Sequence, residues 1–159
     1  MILRTNLPWV VSNSALYVAG ASPVISGECG DISGGIGLAE ATTYLQRLGM
    51  DEVLKHEKML TDYALKKLLN CCTKLRLYGT TDTSLKCGII PFGIDGMSSH
   101  DVAAICNEFG IALRSGFHCA QPLHELFKLQ SSARASFYIY NTVEEVDRFI
   151  DVLKEIEQL

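Results

Sequence analysis

Apolar residues recur at helical spacing in four stretches of the chain and alternate with polar ones in between. From Gly35, IGLAEATTYLQRLG sets Ile36, Ala39, Thr43, Leu45 and Leu48 near one face, and Gly49 stops the run. Asp51 is placed to cap a second helix reaching about Leu69. Its apolar stripe is Val53, Leu54, Leu60, Ala64, Leu65 and Leu68, with lysines outward. KLRLYG, residues 74–79, alternates as a half-buried strand; Thr80 to Thr83 turn the chain, and SLKCGIIPFG follows as a second strand. Ser98 or Ser99 caps HDVAAICNEFG, which Gly110 ends. A third strand is predicted over 111–114, then a loop holding Cys119, then a fourth strand in ARASFYIY, residues 133–140. Asn141-Thr142 opens the last helix, where Val143, Val146, Phe149, Ile150, Leu153 and Ile156 form one face.

The second half thus reads β-β-α-β-β-α. The expected fold class is α+β: a small sheet covered on one side by helices, preceded by two helices. Residues 1–32 lack a clear period and carry turn formers such as Ser22-Pro23, Gly27 and Gly30. They are read as an irregular lead-in with a short strand near Ala15 to Val18, and residues 33–159 as one domain. No internal repeat or low-complexity linker stands out.

Composition narrows the function classes. The 159 residues, 48% hydrophobic and 20% charged, suffice for one domain with a real core. The net charge of -4, with no basic run, gives nucleic-acid binding little support. No apolar stretch approaches the ~18 residues that a membrane span needs. Asn6, Pro8, Ser12, Asn13 and Ser14 interrupt the mildly apolar N-terminus, so no secretory signal is expected and the setting is read as cytoplasmic. The cysteines at 29, 71, 72, 87, 106 and 119 form no C-x-x-C pair; most read as small buried hydrophobes of a reducing compartment.

Cys119 is set differently. In GIALRSGFHCAQPL, His118 adjoins it, Arg114 precedes it by five residues and His124 follows by five. A cysteine attacks as thiolate; a neighbouring histidine can take the proton and an arginine can stabilise the anion. Gly116 allows a sharp turn, and Pro122 stiffens the exit. The ordinary alternative is that His118 and Cys119 merely pack in a loop. A Cys119/His124 metal pair falls short of a site, so no metal is expected. Arg134, at the start of a strand in SSARASFYIYN, can bind a carboxylate through two parallel hydrogen bonds. Its ordinary alternative is an edge-strand arginine in solvent, and that of Arg114 is a salt bridge to Asp101 or Glu108. His56 and His100 are read as solvated, and Glu144-Glu145 and Asp51-Glu52 as first-turn acids favoured by the helix dipole.

ALRSGFHCAQPL followed by ARASFYIYNTVEEVDRFIDVLKEI resembles the C-terminal segment of Suf-type cysteine desulfurases. These are pyridoxal-phosphate (PLP) enzymes of the class V aminotransferase group, close to selenocysteine lyases. The family patterns R-[TS]-G-x-H-C-A-x-P and R-A-S-x-x-x-Y-N-T-x-E-E-[VI]-D both match, in order and spacing. DISGGIGLAEATTYLQRLG resembles the helix that opens that region, so the likeness runs from about Asp31 to the end. It implies the small C-terminal domain of the type I PLP-dependent fold. It implies that Cys119 is the nucleophile that takes sulfur from L-cysteine and carries it as a persulfide, leaving alanine. It further implies that Arg134 holds the substrate carboxylate and that Arg114 and His118 line the same site. A sulfur-acceptor protein, as in iron–sulfur cluster assembly, would be the partner, and a homodimer is compatible with the pattern.

Two departures qualify the likeness. The family's PLP lysine lies in a Ser-x-His-Lys context that this sequence lacks, so no cofactor-binding residue is assigned and PLP is expected only in the parent family. The family's Gly-Thr-Pro segment is replaced by Gly27-Glu28-Cys29-Gly30, and Phe117 stands where a first histidine is common. The expectation is a catalytic-cysteine domain that needs a separate large PLP domain, whether as a fragment, a split-gene product or a decayed copy. The alternative is a cofactor-free persulfide carrier, or a regulatory or structural remnant. An exposed apolar face is expected where the large domain would pack.

Overall fold

The computed structural model describes residues 32–158; the predicted lead-in and its strand near Ala15 lie outside them. Two compact units divide between Glu52 and Val53. In the first, helix α1 (Ile32–Leu48) ends at Gly49, whose φ of +84° suits a residue without a Cβ. None of the α1 residues is buried, including the predicted Ile36 to Leu48 stripe.

The second unit takes up helix α2 (Met50–Cys71) from Val53 and continues through β1 (Leu75–Leu77), a 3₁₀ turn (Thr83–Leu85), β2 (Ile89–Ile94), α3 (Ser99–Glu108), β3 (Arg114–Gly116), α4 (Gln121–Leu126), β4 (Ser132–Ser136) and α5 (Val143–Ile156). The four strands form one antiparallel sheet in the order β1-β2-β4-β3. The predicted class and the two leading helices are therefore present. Strand bounds differ. Ile111 to Leu113 is not strand, and β4 stops at Ser136 rather than running to 140. The six residues of α4 fall inside what the sequence suggests is loop.

One face of the sheet carries the core. Ile90, Phe92 and Ile94 of β2 alternate inward, as do Ala133 and Ala135 of β4. They meet Leu60, Ala64, Leu65 and Leu68 of α2, Val102 and Cys106 of α3, and the buried stripe of α5. Phe92 packs edge-on against Phe149, with ring centroids 5.9 Å apart. Leu54, placed in the α2 stripe by spacing, is exposed; its neighbour Val53 takes the inward position. Pro91, Arg134 and Arg114, cross-strand partners on β2, β4 and β3, share the opposite face of the sheet.

The caps match the sequence chemistry. Ser98 is the N-cap of α3 and accepts from the Asp101 N–H. At α5, Thr142 accepts from the Glu145 N–H while the Glu145 carboxylate accepts from the Thr142 N–H, closing a capping box. Hydrogen bonding from Asn141 and Thr142 holds the Glu145 carboxyl below its usual range. Thr142→Ala is expected to lower stability by ~1 kcal/mol, read as a lower urea midpoint at unchanged slope.

Candidate active site

The site forms where β3 lies beside β4. Arg114 and Arg134 are directly paired across those strands, so their side chains leave the same sheet face. Like charges directly opposed destabilise a sheet unless an anion lies between them. Among the described residues neither arginine carries an ion pair. Arg114 instead donates from its Nη2 to Cys119 Sγ at 3.7 Å. Arg134 is half-buried on a central strand, and its Nε has no hydrogen-bond partner. Neither ordinary alternative therefore holds: Arg134 is not on an edge strand, and Arg114 does not pair with Asp101 or Glu108.

Gly116, at φ +110°, turns the chain out of β3. His118 and Cys119 then both adopt left-handed backbone, at φ 54° and 59°. Such a conformation costs about 1–2 kcal/mol per residue in an L-amino acid. It presents the Cys119 thiol, which is exposed. The other cysteines differ from expectation: of those described, only Cys106 is buried, while Cys72 and Cys87 are half-buried and Cys71 is exposed. Burial pushes the Cys106 thiol up to about 11, and that of Cys72 likewise to about 11. Both are thus held as poor nucleophiles.

The histidines do not act as spacing alone suggests. His118 Nε2 donates to the Ser132 carbonyl at 2.9 Å, since a carbonyl can only accept, and its Nδ1 is buried with no partner. His118 is therefore not bonded to the Cys119 thiol, whose hydrogen-bond partner is the arginine. Burial pushes the His118 imidazole below its usual value; Arg134, Arg114 and His124 add to this, against the raising effect of the Ser132 bond. His124 is buried with both ring nitrogens engaged, Nδ1 to the Ala120 carbonyl at 3.0 Å and Nε2 to the Ser132 hydroxyl at 2.9 Å. It is thereby unavailable as a metal ligand beside Cys119. One further reading is corrected: His56 is half-buried, and its Nε2 bonds the Asn141 carbonyl, whereas His100 is exposed as expected, with Nδ1 at the Ser115 hydroxyl. Ser132 and His124, which no local pattern marks as a pair, are thus integral to the site. In the segments flanking Cys119 along the chain, Phe117, Leu123, Leu126 and Phe127 are exposed.

A PLP site needs a lysine that can lose its proton within reach of the reacting groups. The paired lysines of this unit are committed elsewhere: Lys66 to Asp62, Lys67 to Asp147, Lys74 to the Glu157 carbonyl and Lys154 to Asp151. Lys86 is pushed down by burial, but it donates to the Thr80 carbonyl in the β1–β2 connection. These five lysines are not placed against Cys119, Arg114 or Arg134, and no step on the cofactor is assigned to the described residues. Among them, no helix is long and apolar enough to cross a membrane.

The family model for aminotransferase class-V matches residues 26–149, and the chain belongs to that family. It is 42% identical over 128 residues to a probable cysteine desulfurase of Halobacterium salinarum, covering 80% of this chain and 30% of that protein. It is 37% identical over 154 residues to a cysteine desulfurase of Haloferax volcanii, covering 97% and 32%. Among solved structures, the apo cysteine desulfurase of Thermococcus onnurineus superposes with a TM-score of 0.79 at 32% identity, covering 84% of this chain and 33% of that one. The cysteine desulfurase CsdA of Escherichia coli gives 0.73 at 27% identity, covering 83% and 32%. The chain thus spans about a third of the length of the curated relatives it matches.

The depressed His118 value sets a pH dependence. Above about 6.5 the ring is neutral in folded and unfolded chains alike. As pH falls from 6.5 toward the lower folded value, only the unfolded chain gains the proton, and stability is lost. His118→Gln, which keeps a donor for Ser132 but cannot titrate, is expected to flatten this loss in urea melts between pH 7 and 5.

Proposed function

We propose that this chain is the catalytic-cysteine domain of a PLP-dependent cysteine desulfurase, inactive without a lysine-bearing cofactor domain. The observation that carries the reading is the exposed Cys119 thiol, held by the Arg114 guanidinium on the sheet face that also bears Arg134. Arg134, half-buried beside Arg114, receives the substrate carboxylate through its guanidinium. Arg114, bonded to the Cys119 sulfur, holds it at the face where Arg134 lies. The thiolate forms a sulfur–sulfur bond as the carbon–sulfur bond of L-cysteine breaks. The carbon keeps the electron pair and takes a proton, leaving alanine, and Cys119 holds the persulfide. His118, neutral near pH 7, adds no third positive charge to the face. The exposed rim of Phe117, Leu123, Leu126 and Phe127 supports docking of the cofactor domain and, later, of a sulfur acceptor. The free cysteines fit a reducing cytoplasm.

The missing Ser-x-His-Lys context favours one second reading, a cofactor-free persulfide carrier. A complementation assay separates the two. The chain is mixed with a PLP-loaded class V desulfurase whose own nucleophilic cysteine is replaced by alanine, and alanine release from L-cysteine is measured. Wild type is expected to restore release and Cys119→Ser is not. Persulfide label on Cys119 that appears only with an intact desulfurase, without restored release, establishes the carrier. Equal labelling of wild type and Cys119→Ser overturns both.

A further inference from the structure

The left-handed backbone at His118 and Cys119 has an identifiable support. Ser132, buried at the start of β4, serves two imidazoles at once. Its carbonyl accepts from His118 Nε2, and its hydroxyl bonds His124 Nε2, both at 2.9 Å. His124 returns to the loop by donating from Nδ1 to the Ala120 carbonyl. That bond fixes Nδ1 as the protonated nitrogen in the neutral ring, so Nε2 accepts and the Ser132 hydroxyl donates. Both chain neighbours of Cys119, His118 through its side chain and Ala120 through its carbonyl, are therefore tied to one residue of a central strand. The rings reinforce this: His118 and His124 have centroids 5.9 Å apart, and Phe117 meets His124 edge-on at 5.6 Å. The thiol is thereby held toward Arg114 rather than swept through solvent.

We propose that His124, acting through Ser132 and Ala120, is a positioning residue that holds Cys119 against the Arg114 guanidinium. Neither His124 nor Ser132 is bonded to the thiol, so their effect on its reactivity must pass through the loop. The inference rests on Cys119 being the nucleophile, and the test separates the two claims.

The rate of iodoacetamide alkylation is measured on the Cys119 peptide of the full chain at pH 7. It is compared with that of exposed Cys71 in the same sample. The variants are Arg114→Ala, His124→Ala, Ser132→Ala and the two doubles with Arg114→Ala, with Ser132→Thr as the conservative control. In wild type, Cys119 is expected to react several-fold faster than Cys71. Arg114→Ala, His124→Ala and Ser132→Ala each slow it about fivefold, the doubles are no slower than the worse single, and Ser132→Thr restores the rate. Non-additivity of this kind is expected when two residues act through one contact. Ser132→Ala removes one hydroxyl and keeps the carbonyl, so it carries the cycle if His124→Ala fails to fold. A wild-type Cys119 no faster than Cys71 overturns the nucleophile itself. A fast wild type with unchanged His124 and Ser132 variants, or with multiplicative doubles, overturns the positioning role alone.

Discussion

Two guanidinium groups leave the same sheet face from directly paired positions, with no carboxylate among the described residues in an ion pair with either. That juxtaposition is unfavourable in an empty sheet, and the rest of the site follows from it. It holds only while β3 keeps its register on β4, because a one-residue slip sends a side chain to the other face. The face that Arg134 takes is secured from the far side of β4. Ala133 and Ala135 are buried against the helices, and Phe92 and Ile90 oppose them on β2. The apolar core therefore specifies where the Arg134 charge goes. The exposed thiol at the strand end gives one guanidinium an acceptor, and the other retains a buried, unsatisfied Nε.

Much of this was legible in the sequence, for reasons that can be named. The α5 stripe and its Thr142/Glu145 cap are local features, fixed by residues within one or two turns. The same holds for Ser98 on α3 and for the alternation of β2. The failures are equally physical. Ile111 and Leu113 alternate like a strand because they are half-buried against the core, yet the ladder begins only at Arg114. Alternation reports burial, not pairing. The short α4 was hidden by Pro122, which is as consistent with a first helical turn as with a loop exit.

At the site, Cys119 and Arg114 are close in sequence and their association could be anticipated. The roles of Ser132, His124 and His56 could not. His118 reaches Ser132 across 14 residues, and His56 reaches Asn141 across 85. No spacing rule brings such partners together. The same limit explains why His118, adjacent to the thiol along the chain, turns its donor to a backbone carbonyl instead.

The positive φ of Cys119 filters which amino acids can stand at that position by shape as well as by chemistry. A lineage released from the need for a thiol would not drift freely there. Glycine, asparagine and aspartate enter left-handed backbone with least resistance, while valine, isoleucine and threonine crowd it with a branched Cβ. Descendants that abandon the chemistry should carry that conformational imprint long after the sulfur is gone.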